Sequence, residues 1–150
     1  MIGTLAVLSC KKNPVVTPPP PHKNTFSAQV NGKAFVPLTI SAYVDHYHPD
    51  YLFIMAIDAN DRELGLTISN YDSVKTSFIL NDYPHTHGFF TPQGFVYSDS
   101  KSGQFNIDLF DKTTYKPEEV ITGTFQFETD DAGGKYSITD GQFSILVKHQ

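Results

Sequence analysis

Four of the six histidines fall in two His-x-His pairs, His46 and His48 in "VDHYHPD" and His85 and His87 in "DYPHTHGF". On an extended strand residues i and i+2 point to the same side, so each pair can present two imidazoles to one metal ion. Asp45, Asp50 and Asp82 stand nearby as carboxylate donors. The chemistry such a spacing would serve is a zinc or copper site shared by the two stretches. The competing reading is plainer: both stretches lie beside Pro and Asp and read as loops, where an imidazole is commonly solvated. A shared site also requires the two stretches to meet in space, and spacing alone does not show that they do.

The aromatic residues are the second candidate. The chain holds 8 Tyr and 12 Phe but no Trp. Tyr43, Tyr47, Tyr51, Tyr83 and Tyr97 sit near strand ends or loops, where a ring can stack on a sugar or a peptide. Sugar-binding faces usually recruit Trp, which weighs against that ligand, and most Phe residues have inward phase and read as core. Asp58-Ala59-Asn60-Asp61 echoes the start of a calcium loop but lacks the required Gly and the distal Glu, so it reads as a hairpin turn. Glu118 and Glu119 are adjacent, face opposite ways on a strand, and do not form an acid–base pair. With no G-x-S-x-G elbow, P-loop or dinucleotide-binding glycine pattern, the expectation is a protein that is not an enzyme.

A formal charge of −5 argues against nucleic acid, which selects basic surfaces. At 150 residues the chain has one domain's worth of length, and its first two dozen residues differ from the rest. Ile2 to Leu8 is mostly apolar, far short of the roughly 20 residues of a membrane-spanning helix. It fits the apolar core of a secretory signal. Val7-Leu8-Ser9-Cys10 then ends the run at the only cysteine of the chain. This segment resembles the lipobox of bacterial lipoproteins, in which the thiol takes a diacylglyceryl group and the signal is cut before it. No Lys or Arg precedes the apolar stretch, so residues 1–9 read as a truncated signal. Pro14 to Pro21 holds five prolines, expected to form a semi-rigid polyproline spacer. The domain reading is therefore signal 1–9, lipidated Cys10 and tether to residue 24, and a single β domain over 25–150.

The segments that must position any site read as strands throughout. Phe26, Ala28 and Val30 alternate with polar residues and lead into Asn31-Gly32, a type I′ hairpin signal that should place Phe35 opposite Ala28. Leu38, Ile40, Ala42 and Val44 form one face of the next strand. Tyr51 to Ile57 is apolar on both faces, which suits a central, well-covered strand. Leu64-Leu66-Ile68, Phe105-Ile107-Leu109 and Ile121-Gly123-Phe125-Phe127 alternate again. The apolar phase flips between Ile138 and Phe143, so a β-bulge with Gly141 in a left-handed conformation is expected there, with a plain turn between two strands as the alternative. Only Lys116 to Glu119 hints at a helical turn. Nine or ten short antiparallel strands must bury their faces against one another. An antiparallel sandwich is expected first, with a closed or partly open barrel as the alternative.

"TFSAQVNGKAF" near the start and "ITGTFQFETDD" with "GKYSITDGQFSILV" at the end resemble an uncharacterised family of Gram-negative cell-envelope lipoproteins. The resemblance covers most of residues 25–147, and its motifs are turns and core aromatics. It implies an all-β domain and a lipid anchor, and no activity. The functional expectation is an outer-membrane lipoprotein facing the periplasm, a non-catalytic module binding a protein, peptide or small molecule. The alternative is a metal-binding protein that uses the two His-x-His pairs.

Overall fold

The computed structural model describes residues 20–72, 76–93, 96–114, 118–130 and 132–149. The signal, Cys10 and all but the last two prolines of the tract lie outside the described residues, as do Lys116 and Pro117. Alternation becomes strand where it is cleanest. Thr25–Val30 (β1) buries Phe26, Ala28 and Val30, and the chain reverses at Asn31 and Gly32 with φ of 50° and 72°. Positive φ at both positions is what a type I′ turn demands. Lys33–Phe35 (β2) returns with Phe35 opposite Ala28, as predicted.

Pro37–Asp45 (β3), His48–Asp58 (β4) and Glu63–Ser69 (β5) form a meander. Asp58 closes the β4–β5 hairpin by accepting bonds from the Asn60 and Arg62 amides at 2.8 and 3.1 Å, so this segment is the turn expected. Ser77–Ile79 (β6), His87–Thr91 (β7), Ser98–Asp111 (β8), Glu119–Thr129 (β9) and Ser137–His149 (β10) complete ten strands, with no helix among the described residues.

Seven strands close into a barrel in the order β3, β4, β5, β7, β8, β9, β10 and back to β3. The sandwich expected first is therefore replaced by its alternative. Strand directions cannot alternate all the way round an odd ring, so one junction must be parallel. That junction is β10 with β3, a seam of two residue pairs, Lys148 with Tyr43 and His149 with Val44. The long strands β8 and β10 make closure work. Each pairs with one wall along most of its length and with the other at one end. The β1–β2 hairpin extends the edge of β10, and β6 that of β8.

The interior is packed with side chains. Phe105 is fully buried and stacks on Phe143 at 5.3 Å, with Leu52, Leu64, Ile121, Ile145 and Val147 also enclosed. Three local expectations change. Leu38 is 75% exposed and only Ala42 and Val44 of its stripe are buried, because β10 reaches β3 only at residues 43 and 44. The register also shifts between Pro37 and Thr39. The bulge in β10 is present between Ile138 and Gly141, but the left-handed residue is Asp140, with φ of 52°. Gly141 is small for another reason: a Cβ there would lie 2.4 Å from the Phe125 carbonyl oxygen. Finally, β4 is covered on its inner face alone. Leu52, Ile54 and Ala56 are buried, whereas Tyr51, Phe53, Met55 and Ile57 are half-buried on the outside.

Candidate functional site

That apolar outer face organises the site. Register places Tyr43, Phe53, Thr67 and His87 in one row across β3, β4, β5 and β7. The next row is Ser41, Met55, Gly65, Phe89 and Asp99. Both rows lie on the outer side of the pleat, since the residues between them point into the core. Gly65 lets Phe89 lie flat against the sheet: a Cβ there would come within 2.2 Å of the Phe89 ring.

The rings form a ladder. Tyr43 stacks on Phe53 at 5.2 Å, and Phe53 on Tyr51 at 6.2 Å. Beyond Thr67, Tyr83 meets His87 edge-on at 4.9 Å, and Phe89 meets Tyr97 at 5.5 Å. Between Tyr51 and Phe53 on one side and Tyr83, Pro84 and His87 on the other runs an open groove of about 400 Å³, with Thr67 as its floor. Asp82 and Thr86 exchange backbone hydrogen bonds of 3.0 and 2.8 Å, closing the loop that carries Tyr83, Pro84 and His85. Thr86 Oγ1 lies 2.8 Å from Ser69 Oγ, which ties that loop to the end of β5.

The two histidine stretches do meet, on either side of Tyr51, whose ring is 5.8 Å from His48 and 6.4 Å from His85. They do not pool their nitrogens. His46 and His85 sit in turns, so only one member of each pair is on a strand. Each of the other three takes its own carboxylate: His48 Nδ1 is 3.1 Å from Asp45, His85 Nδ1 3.6 Å from Asp82, and His87 Nε2 3.7 Å from Asp99. His46 instead packs edge-on against Tyr47 at 5.5 Å, and the Asp50 carbonyl accepts a bond from the Asn70 amide. Among the described residues no three His, Cys, Asp or Glu side chains form a group able to hold a metal ion.

Two of these couples have defined electrostatics. The Tyr47 amide, donating at 3.0 Å, and then His48 hold the Asp45 carboxyl below the usual carboxylate range. His87 is 7% exposed, and burial pushes its imidazole below the ordinary histidine value, against the opposing pull of Asp99 and the Pro84 backbone. Its Nδ1 is fully enclosed without a hydrogen bond of good geometry.

Of the tyrosines singled out by sequence, Tyr43, Tyr51, Tyr83 and Tyr97 join the ladder, whereas Tyr47, 84% exposed, stands on the turn outside it. Sequence reasoning missed Phe53, Phe89, Thr67 and Pro84. The signal for Phe53 was its odd phase in a strand whose even residues are core. Of the other hollows, those of about 420 and 510 Å³ lie on the wall made by β8, β9 and β10. Serines, glutamines and glutamate line much of them, and their Lys101 and Lys135 are already matched by Asp130 at 3.0 and 3.2 Å. Among the described hollows, the aromatic groove is the one lined mainly by rings and imidazoles.

Strand polarity fixes where the chain enters. The starts of β1, β4 and β7 and the ends of β3, β5 and β10 all lie at one end of the barrel. Asn24 Oδ1 accepts the Leu146 amide at 2.9 Å just ahead of β1. Chain entry and groove therefore share that end. Compared with family models, curated proteins and solved structures, the chain matches none.

Proposed function

We propose that this chain is a lipid-anchored protein of the Gram-negative cell envelope whose barrel is a non-catalytic binding module. It is attached through Cys10 to the outer membrane, facing the periplasm. The observation that carries the binding half is the groove: aromatic side chains from β4 and from the loop before β7 face each other on an outer sheet surface that no other layer of the described residues covers. Half-exposed rings flanking an open channel form a surface suited to a flat or extended ligand. The anchor half rests on the resemblance of Val7–Cys10 to a lipobox and on the proline tract behind it. Such a tract is suited to a tether between Cys10 and the barrel.

Each half has its own test. Mass spectrometry of the mature N-terminus should find Cys10 diacylated in membrane-sedimenting material, and Cys10→Ala should release the chain. A bare thiol in protein recovered from cytosol overturns the anchor. For binding, the full chain carrying Cys10→Ser is labelled with ¹⁵N and titrated with a panel of amino-acid amides, short peptides and sugars. Amide shifts should cluster at Tyr51, Phe53, Thr67 and His87. Shifts confined to the wall of β8, β9 and β10 overturn the groove as the site.

A further inference from the structure

Carboxylates stand beside the histidines around the groove, just outside its lining. Asp45, Asp82 and Asp99 each stand beside one of the three histidines that surround Tyr51 and Tyr83, at 3.1 to 3.7 Å. Among the described residues no Lys or Arg lines the groove. Among the described residues, the Lys and Arg side chains that form ion pairs do so elsewhere: Arg62 with Asp58, Lys101 and Lys135 with Asp130, and Lys112 with Asp72. Lys148, opposite Tyr43 at the β10–β3 seam, is the closest basic residue in the register, and like the three carboxylates it falls outside the groove lining, which leaves the carboxylates in the majority there. His87 is held neutral by burial and so brings no compensating cation at neutral pH. Resting on the reading of the groove as a binding site, we infer that its occupant is the cationic side chain of a lysine or arginine presented by a peptide or protein partner.

The chemistry is complementary on two counts. The faces of Tyr51, Phe53 and Tyr83 carry the negative quadrupole that attracts an ammonium or guanidinium, and the methylene stem of Lys or Arg covers apolar ring surface. The carboxylates then add a long-range attraction that a neutral ligand would not feel. The same carboxylates, on a chain of net charge −5, disfavour an anionic lipid surface as the occupant. The groove is about 400 Å³ and open on its outer side, which suits a side chain presented from a partner's surface.

The experiment compares N-acetyl-lysine methylamide with its neutral isostere N-acetyl-norleucine methylamide, titrated into the ¹⁵N-labelled full chain carrying Cys10→Ser. The lysine probe should shift the amides of Tyr51, Phe53, Thr67 and His87 with a dissociation constant roughly fivefold or more below that of the norleucine probe, the range expected for a cation over aromatic rings. Raising the salt should weaken the lysine probe alone. Asp82→Asn, at a side chain 68% exposed and therefore harmless to the fold, should weaken it roughly twofold, and Tyr51→Leu should remove most of the preference. Equal affinity for the two probes at the groove overturns this inference and leaves the binding-module reading intact. If neither probe nor any neutral peptide or sugar moves the groove amides, the site itself falls with it.

Discussion

His87 is the residue whose environment makes the sharpest demand. Opposing influences compete on its imidazole: enclosure at 7% exposure disfavours the charged form, and Asp99 at 3.7 Å, with the Pro84 backbone, favours it. Enclosure prevails, so the folded group is harder to protonate than the unfolded one, which titrates near 6.5. The linkage sign follows. Above that value both states are neutral and His87 adds no pH dependence. Below it the unfolded chain binds the proton first, and stability falls by up to about 1.4 kcal/mol for each pH unit, until the folded imidazole itself protonates.

His87→Leu keeps the volume and removes the titration. At about pH 7.5, relief of the enclosed Nδ1 contributes about 1–3 kcal/mol. Loss of the edge-on contact with Tyr83 costs about 0.5–1.5 kcal/mol. The variant should therefore match the parent or exceed it by about 1 kcal/mol. The gap should widen in its favour on acidification to about pH 5.5. In urea unfolding followed by circular dichroism, that widening appears as a relative midpoint shift of about 0.5–1 M. If the two proteins lose stability in parallel, or the parent gains stability relative to the variant as the pH falls, Asp99 outweighs burial and the reasoning is refuted.

Other consequences are equally direct. Gly141→Ala would push a Cβ to 2.4 Å from the Phe125 carbonyl oxygen and 2.6 Å from its ring, and should cost about 1–3 kcal/mol in thermal unfolding. Asp140→Gly, at the residue with positive φ, should be close to neutral, because relieved backbone strain offsets the added freedom of the unfolded chain. The reverse order of those two costs would move the left-handed residue to Gly141. The phenol of Tyr71, 3% exposed, is pushed up to about 12 by burial and by Glu119. Spectrophotometric titration should show one tyrosine ionising only there, and Tyr71→Phe should abolish that step.

What was legible in the sequence was local. The β1–β2 hairpin needs positive φ at two adjacent residues, and Asn31-Gly32 announces that need. The bulge was visible as a phase flip, but not which residue bends, since an aspartate tolerates the left-handed region almost as a glycine does there. Barrel closure was not legible, because it turns on two residue pairs between strands a hundred residues apart, with no local composition to mark them. The site divides in the same way. Tyr51 and Tyr83 stood out as polar-tipped rings beside loops. Phe53 and Phe89 did not, because an apolar outer row on a barrel wall has the same one-dimensional pattern as a strand covered on both sides. Histidine spacing suggested shared ligands, yet spacing cannot show that turns at His46 and His85 take one member of each pair off its strand.

The resulting picture is a molecule with two unlike outer surfaces. Ser102, Gln104, Asn106, Thr124 and Gln126 give the wall of β8 and β9 a polar exterior. The wall of β4, β5 and β7 carries rings, imidazoles and carboxylates at the end where the chain enters. Binding through the second surface is the central claim, and it is tested most directly in the cell. A photo-crosslinking phenylalanine analogue is placed at Tyr83, 66% exposed in the groove, or at Gln104 on the polar wall, in the full-length chain. A discrete adduct should form from the Tyr83 position and disappear when Tyr51→Ala is added. Adducts arising from Gln104 alone, or a Tyr83 adduct indifferent to Tyr51→Ala, would contradict the account.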